Sequence, residues 1–156
     1  VRWILQEDEH RFPQEKDLGP EPFELNGEYV YKAMISSKRC LKALLLDQSI
    51  VAGVRNLYAD ESLYRARLLP TRAGNTLTNE ESNRLCRAIR TVIQRAIEKK
   101  GSTISNFYFG NGDTGSYQNE FDVYDRGQEP CKRCRTPLKN IRLAGRTTTY
   151  CALCQK

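Results

Sequence analysis

The sequence has one histidine, one tryptophan and no apolar run that approaches the length of a membrane span. The histidine, His10, stands among Glu7, Asp8, Glu9 and Arg11 with no nucleophile beside it, so it reads as a surface residue and not as a general base. Without a spanning segment or a signal peptide the expectation is a protein of the cytoplasm with no membrane attachment. An ordinary start is also missing. The first residues, Val1-Arg2-Trp3-Ile4-Leu5, read as strand, and the chain is expected to be a fragment. Its 156 residues suffice for one medium domain or two small ones.

Charge is unevenly placed. Residues 1–30 carry three basic and eight acidic side chains, a net of −5, and residues 31–156 carry 22 basic and 11 acidic, a net of +11. A basic body behind an acidic leader suggests a polyanionic partner, most simply nucleic acid; the alternative is a solvated basic surface.

After the acidic leader, Pro13, Gly19-Pro20 and Pro22 predict a stiff, extended linker, because proline fixes its own φ and restricts its predecessor. A domain boundary is expected here, with a remnant strand and linker over residues 1–22, a helical domain over 23–118 and a separate, cysteine-rich domain over 119–156. Residues 26–36 read as a first helix. Lys38, Arg39 and Lys42 then form a basic cluster leading into residues 41–67, the stretch around which the chain is organised.

That stretch, LKALLLDQSIVAGVRNLYADESLYRAR, begins with a short helix built on Leu41, Leu44, Leu45 and Leu46 and ended by Asp47 and Gln48. Ile50-Val51-Ala52-Gly53-Val54 is too short and too apolar for a solvated loop. Asn56 is expected to cap the next helix, with Asp60 and Glu61 in its opening turns and Arg65 and Arg67 near its end, in the order the helix dipole favours. A helix start offers free N–H groups to an anion such as phosphate; the alternative is an ordinary helical hairpin.

Residues 78–100 give the clearest long helix. Thr78 and Glu81 form a capping box, and Leu85, Ile89, Val92, Ile93, Ala96 and Ile97 keep a helical stripe. Arg84, Arg87, Arg90 and Arg95 lie mainly off it, as on a solvated face. Residues 110–116, GNGDTGS, are too rich in glycine for regular structure and serve either recognition or connection.

The most specific chemistry lies at the end. Cys131-Lys132-Arg133-Cys134 and Cys151-Ala152-Leu153-Cys154 are paired C-x2-C knuckles with sixteen residues between them, a spacing that suits one tetrahedral structural Zn²⁺. Two disulfides are the alternative, less suited to a chain without secretory marks. Cys40 and Cys86 fall on helical segments and read as packed thiols. Between the knuckles, Asn140-Ile141-Arg142-Leu143 and Arg146-Thr147-Thr148-Thr149-Tyr150 flank Ala144-Gly145 as a β-hairpin, with Arg142 and Arg146 near its tip in reach of a phosphate.

Three segments, LLLDQSIVAGVRNLYADESLYRAR, GDTGSYQNEFDVYDR and EPCKRCRTPLKNIRLAGRTTTYCALCQK, resemble the formamidopyrimidine-DNA glycosylase family, from about Trp3 to the end of the chain. The resemblance implies a mainly α fold with a small β part, a helix–two-turns–helix domain followed by a β-hairpin zinc finger. It implies one structural zinc and, as partner, double-stranded DNA with oxidised bases or abasic sites, bound by a monomer at the nucleoid while the damaged base is flipped out. Asn56 matches the family's phosphate-binding asparagine. Arg146 matches the zinc-finger arginine that grips the phosphate near the lesion and gives the proton in δ-elimination. Lys38 and Arg39 fall near a basic DNA-contacting position, and the loop at residues 110–117 matches the one that closes over the flipped base.

The family's catalytic half begins Pro-Glu, with the proline amine as nucleophile, and also supplies a β-elimination lysine. None of these is in the sequence, and Val1 is not expected to stand in for the nucleophile. This chain alone is therefore expected to be inactive. Arg55 stands where the family pattern has glycine, either crowding the phosphate site or adding a charge to it. The expected function is damaged-DNA binding by the C-terminal half of a base-excision glycosylase and AP lyase. The alternatives are a non-catalytic nucleic-acid-binding module and a ribosome-associated zinc protein.

Overall fold

A computed structural model describes residues 18–99, 108–109, 113–114 and 120–156. Among the described residues the helical part holds four α-helices. In α1 (Gly27–Ile35), the Asn26 side chain accepts the Tyr29 N–H, and Val30 and Met34, one turn apart, point inward. The six-residue α2 (Leu41–Leu46) buries Leu41, Leu44 and Leu45 and stops at Asp47. Next comes α3 (Asn56–Ala66), and then α4 (Asn79–Glu98), which packs across both α1 and α3. The expected capping box of α4 is present: Thr78 Oγ1 accepts the Glu81 N–H, and Glu81 returns the bond to the Thr78 N–H, each at 3.1 Å. Among the described residues no helix is long and apolar enough to cross a membrane.

Two turns connect α2 to α3. Asp47 accepts the Ser49 N–H and hydroxyl, and the Gln48 side chain accepts the Gly53 N–H at 2.7 Å while donating to Leu46 and Val54 carbonyls. Gly53 sits at φ +90, a left-handed conformation that a side chain would strain. Val51 and Val54 are buried, so the connection is part of the core, as its apolar composition requires. The expected linker is anchored where it is described. Gly19 donates to the Gln48 carbonyl, Pro20 accepts from Ala52, and Pro22 is buried.

Several local expectations change. Asn56 is the first helical residue of α3, and Arg55 holds the N-cap position with no side-chain cap bond. An arginine has no acceptor to offer the first-turn amides. Of the arginines of α4, Arg87 and Arg95 are exposed, Arg95 pairing with Glu120 at 2.6 Å, whereas half-buried Arg84 donates to the Ala66 carbonyl and half-buried Arg90 to the Leu25 carbonyl. Cys86 is buried in α4 as expected, whereas Cys40 is only half-buried at the N-cap of α2. Asp113–Thr114 of the glycine-rich stretch form β2, which pairs antiparallel with β1 (Tyr108–Phe109) just before it; the rest of that stretch, like the strand expected at residues 1–12 and His10, lies outside the described residues.

The C-terminal part is a hairpin between two cysteine knuckles. Antiparallel β3 (Lys139–Leu143) and β4 (Arg146–Tyr150) pair from Lys139 opposite Tyr150 to Leu143 opposite Arg146. Both turn residues are left-handed, Ala144 at φ 52 and Gly145 at φ 75, as a two-residue hairpin matching strand twist demands. The fold is thus mainly α with a small β part, as expected.

Candidate metal centre and nucleic-acid interface

The four knuckle cysteines converge. The sulfur atoms of Cys131, Cys134, Cys151 and Cys154 lie within 4.8 Å of one another, with Cys131–Cys154 at 3.8 Å and Cys134–Cys151 at 3.5 Å. A disulfide needs about 2.05 Å. A tetrahedron with Zn–S bonds of about 2.3 Å has edges of about 3.8 Å, so the set fits one closed structural zinc site. Burial opposes the Cys131 thiolate, yet the Tyr64 hydroxyl and the backbone N–H groups of Cys134 and Arg133 outweigh it and hold that thiol at about 6. Burial and the neighbouring sulfurs push Cys154 up to about 12. Four such sulfurs become thiolates together only around a cation.

The finger rests on one face of α3. The opposite face carries Ala59, Leu63 and Ala66 into the helical core. Towards the finger α3 turns Asn56, Asp60 and Tyr64, one turn apart, together with Glu61. Lys42 of α2 is fully buried; its ammonium donates to Asp60 Oδ1 at 2.5 Å and to Thr148 Oγ1 at 2.7 Å, while Asp60 Oδ2 accepts the Thr149 N–H at 3.1 Å. Burial lowers the Lys42 pKa and raises that of Asp60, and each partner opposes the shift in the other. Glu61 accepts the backbone N–H groups of Asp122, Val123 and Tyr124 at 2.9, 2.9 and 2.8 Å. Burial pushes its carboxyl up to about 7 against these three donors. The chain end closes the seam: Gln155 accepts from the Cys151 N–H and donates to the Leu68 carbonyl.

At the start of α3, Asn56 Nδ2 donates to the Thr147 carbonyl of β4 at 3.2 Å. Its Oδ1 is buried without a hydrogen-bond partner among the described residues. Thr147 follows Arg146, which is exposed, so the helix start is joined to the strand at the residue next to the hairpin arginine. Asn56, Tyr124, Asp125, Asn140 and Thr147 help line a polar cleft of about 390 Å³ between α3 and the hairpin. Arg55 is exposed at φ −97, an ordinary extended conformation, so the backbone here does not require glycine. Lys38 and Arg39 are exposed on the α1–α2 turn. Arg39 pairs with Asp47 at 2.8 Å, and neither residue bonds to Asn56 or Arg146. That pairing and the Ser49 donors hold the Asp47 carboxyl below the usual range.

Residues 18–108 match the formamidopyrimidine-DNA glycosylase H2TH domain, and residues 128–156 match the zinc finger found in FPG and IleRS. The chain belongs to the formamidopyrimidine-DNA glycosylase family. A formamidopyrimidine-DNA glycosylase of Pelotomaculum thermopropionicum is 44% identical over 143 residues, 90% of this chain and 52% of that protein. One from Heliobacterium modesticaldum is 45% identical over 148 residues, 94% and 53%. The crystal structure of MutM (Fpg) from Thermus thermophilus superposes with a TM-score of 0.86 at 43% identity, covering 95% of this chain and 57% of that one. A Lactococcus lactis Fpg mutant in complex with Fapy-dG-containing DNA gives 0.85 at 34% identity, covering 98% and 57%. The chain thus spans about half the length of the curated relatives it matches.

Of the residues singled out in the sequence, the fold assembles the four cysteines and, separately, Asn56 with the Arg146–Thr147 step. It corrects the reading of Lys42 as a member of the basic cluster with Lys38 and Arg39 and of Asp60 and Glu61 as dipole partners. All three are buried and bind across the seam. Sequence held a faint signal for them. Lys42 interrupts a leucine run, and Asp60, Glu61 and Tyr64 share a helix with apolar residues on the other side.

Proposed function

We propose that this chain is the DNA-gripping part of a base-excision DNA glycosylase and AP lyase acting on oxidised purines. It holds the backbone of duplex carrying a damaged base or an abasic site. The carrying observation is the joint between Asn56 and Thr147. It fixes a helix start that lacks a side-chain cap beside the exposed Arg146. A helix start and a guanidinium are both phosphate binders, and two elements locked at a fixed distance suit a backbone of fixed spacing. Asn56 has a second amide hydrogen to offer, Arg55 adds a charge at the same helix end, and Lys38 with Arg39 extends the basic surface. Arg146 would also be the proton donor of δ-elimination, once a covalent intermediate is presented by the family's catalytic half. The domain division at residues 22/23 and 118/119, a monomeric state and a cytoplasmic, nucleoid-associated location belong to the same reading. The crystallised relatives support it, since L. lactis Fpg is seen with both Fapy-dG and abasic-site DNA.

Fluorescence anisotropy on duplex carrying an abasic-site analogue, read against salt, is the test. Backbone gripping requires affinity to fall steeply with salt as counterions are released. Arg146→Ala should lower the log–log slope by about one unit, and Asn56→Ala should weaken binding with little change in slope. Arg55→Gly should flatten the slope if the guanidinium contacts phosphate. Unchanged binding in all three variants, or a preference for ribosomal RNA over abasic duplex, would overturn the reading. On duplex containing oxidised guanine this chain alone should release no base; robust excision would move the nucleophile into it.

A further inference from the structure

Cys131 differs from the other three cysteines in what reaches its sulfur from outside the finger. The Tyr64 hydroxyl on α3 lies 3.1 Å from Cys131 Sγ, and both residues are buried. The Arg133 N–H donates to the same sulfur at 3.3 Å, much as the Cys154 N–H donates to Cys151 Sγ at 3.3 Å. Those backbone bonds are internal to each knuckle. Among the described residues, no side chain of the helical part hydrogen-bonds Cys134, Cys151 or Cys154. The tyrosine is also clamped. The Arg133 guanidinium lies over its ring, 4.3 Å from the centroid, and donates to the Tyr64 carbonyl at 3.2 Å. A metal-bound thiolate can only accept, so the hydroxyl must be the donor.

We propose that Tyr64 is an outer-sphere ligand of the zinc site, whose hydroxyl donates to the Cys131 thiolate and slows loss of the metal. A hydrogen bond to a metal-bound sulfur draws charge off it and makes it a poorer base, so protons compete less well with the metal. The same bond ties the metal to α3, the helix whose Asn56, Asp60 and Glu61 hold the hairpin and the segment before it. Zinc loss would then loosen the α3 face as well as the knuckles. The role is one of positioning and tuning, and it is independent of what the interface binds.

Tyr64→Phe is the direct variant, since it keeps the ring and the stacking partner and removes only the hydroxyl. Zinc release to a competing chelator should be at least tenfold faster than in the parent chain, within the roughly 10–100-fold range for lost outer-sphere partners. In Co²⁺-substituted protein the sulfur-to-metal charge-transfer band should move to lower energy, because the thiolate regains charge. A merely structural loss would not move that band in a folded variant. Release within twofold of the parent together with an unmoved band would overturn the proposal. Should the variant not fold, ¹¹³Cd-substituted parent protein supplies a second measurement. A scalar coupling between cadmium and the Tyr64 hydroxyl proton through Cys131 is expected, and a resolved hydroxyl proton without that coupling would overturn it.

Discussion

Between α1 and α4 the protein closes a continuous apolar cluster from Leu25 to Ile89, whereas the finger's own buried apolar residues are Cys131, Leu138 and Cys151, joined by Val123 and by Tyr64 borrowed from α3. Fixing the ten strand residues alone costs on the order of 10–20 kcal/mol in backbone entropy. Three buried side chains at about 2 kcal/mol each do not offset that, while a structural zinc site contributes about 10–16 kcal/mol. Besides Tyr64, the seam between the two parts is largely polar. Buried charges there are satisfied one by one, Lys42 with Asp60 and Thr148 and Glu61 with three amides, and half-buried Asn56 adds a bond to the Thr147 carbonyl. An apolar core tolerates small displacements, but a polar joint of this kind fixes register, because each group misplaced is left buried and unpaired.

The strongest way to break the comparison is to remove the metal. Cys151→Ala should release the zinc and unfold the hairpin while α1 and α4 keep their helical signal. Metal analysis combined with amide exchange should show loss of protection at residues 139–150 and retention at 79–98. A cooperative collapse of both parts would contradict the division.

Next in size is the buried ion pair. Lys42→Met leaves Asp60 buried with only the Thr149 N–H, and should cost about 3–5 kcal/mol in denaturant unfolding. The double variant Lys42→Met, Asp60→Leu should recover much of that loss, because two apolar groups leave no charge unpaired. If the double variant is no better than the single one, the seam depends on the hairpin bonds and not on charge pairing.

Glu61 sharpens the comparison through pH. With its folded pKa raised to about 7 by burial, the folded state binds more protons than the unfolded chain between the ordinary carboxyl range and pH 7. Its contribution to stability is therefore full below about pH 4.5 and is lost as pH rises through about 7. Glu61→Gln should remove this slope from a plot of unfolding free energy against pH. The change should appear in probes of residues 120–124 and the finger, and much less in α1.

The smallest effect belongs to the turn. Ala144 occupies a left-handed position that asparagine tolerates better, so Ala144→Asn should stabilise the zinc-loaded hairpin by about 0.5–1 kcal/mol. Thermal melting of the loaded protein would read it, and the stability of the helical part should not change.

Where a structural choice depends on neighbours in sequence, the residues made it visible: the capping box at Thr78 and Glu81, the end of α2 at Asp47, the hairpin about Ala144-Gly145 and the two cysteine knuckles. These signals are local, set by cap chemistry, turn conformation and metal-ligand spacing. The zinc site was legible in full because four like ligands in two tight pairs have few other uses. Asn56 was picked out by its place before an amphipathic helix, although the helix start lay one residue earlier than expected.

What only the tertiary structure decided is which charges are surface and which are joints. Lys42, Asp60 and Glu61 look in the sequence much like other charged residues near a helix start, and the faint signal they carry does not say what covers them. Whether such a group faces water or a partner depends on which element packs over it. Here that element is a hairpin whose Thr148 lies 106 residues from Lys42 along the chain. Burial makes an unpaired charge prohibitive and a paired one a fixed point. The sequence by itself determined the helices, the hairpin and the metal, and the packing of the finger on α3 determined the seam that joins Asn56 to Thr147, the residue after Arg146.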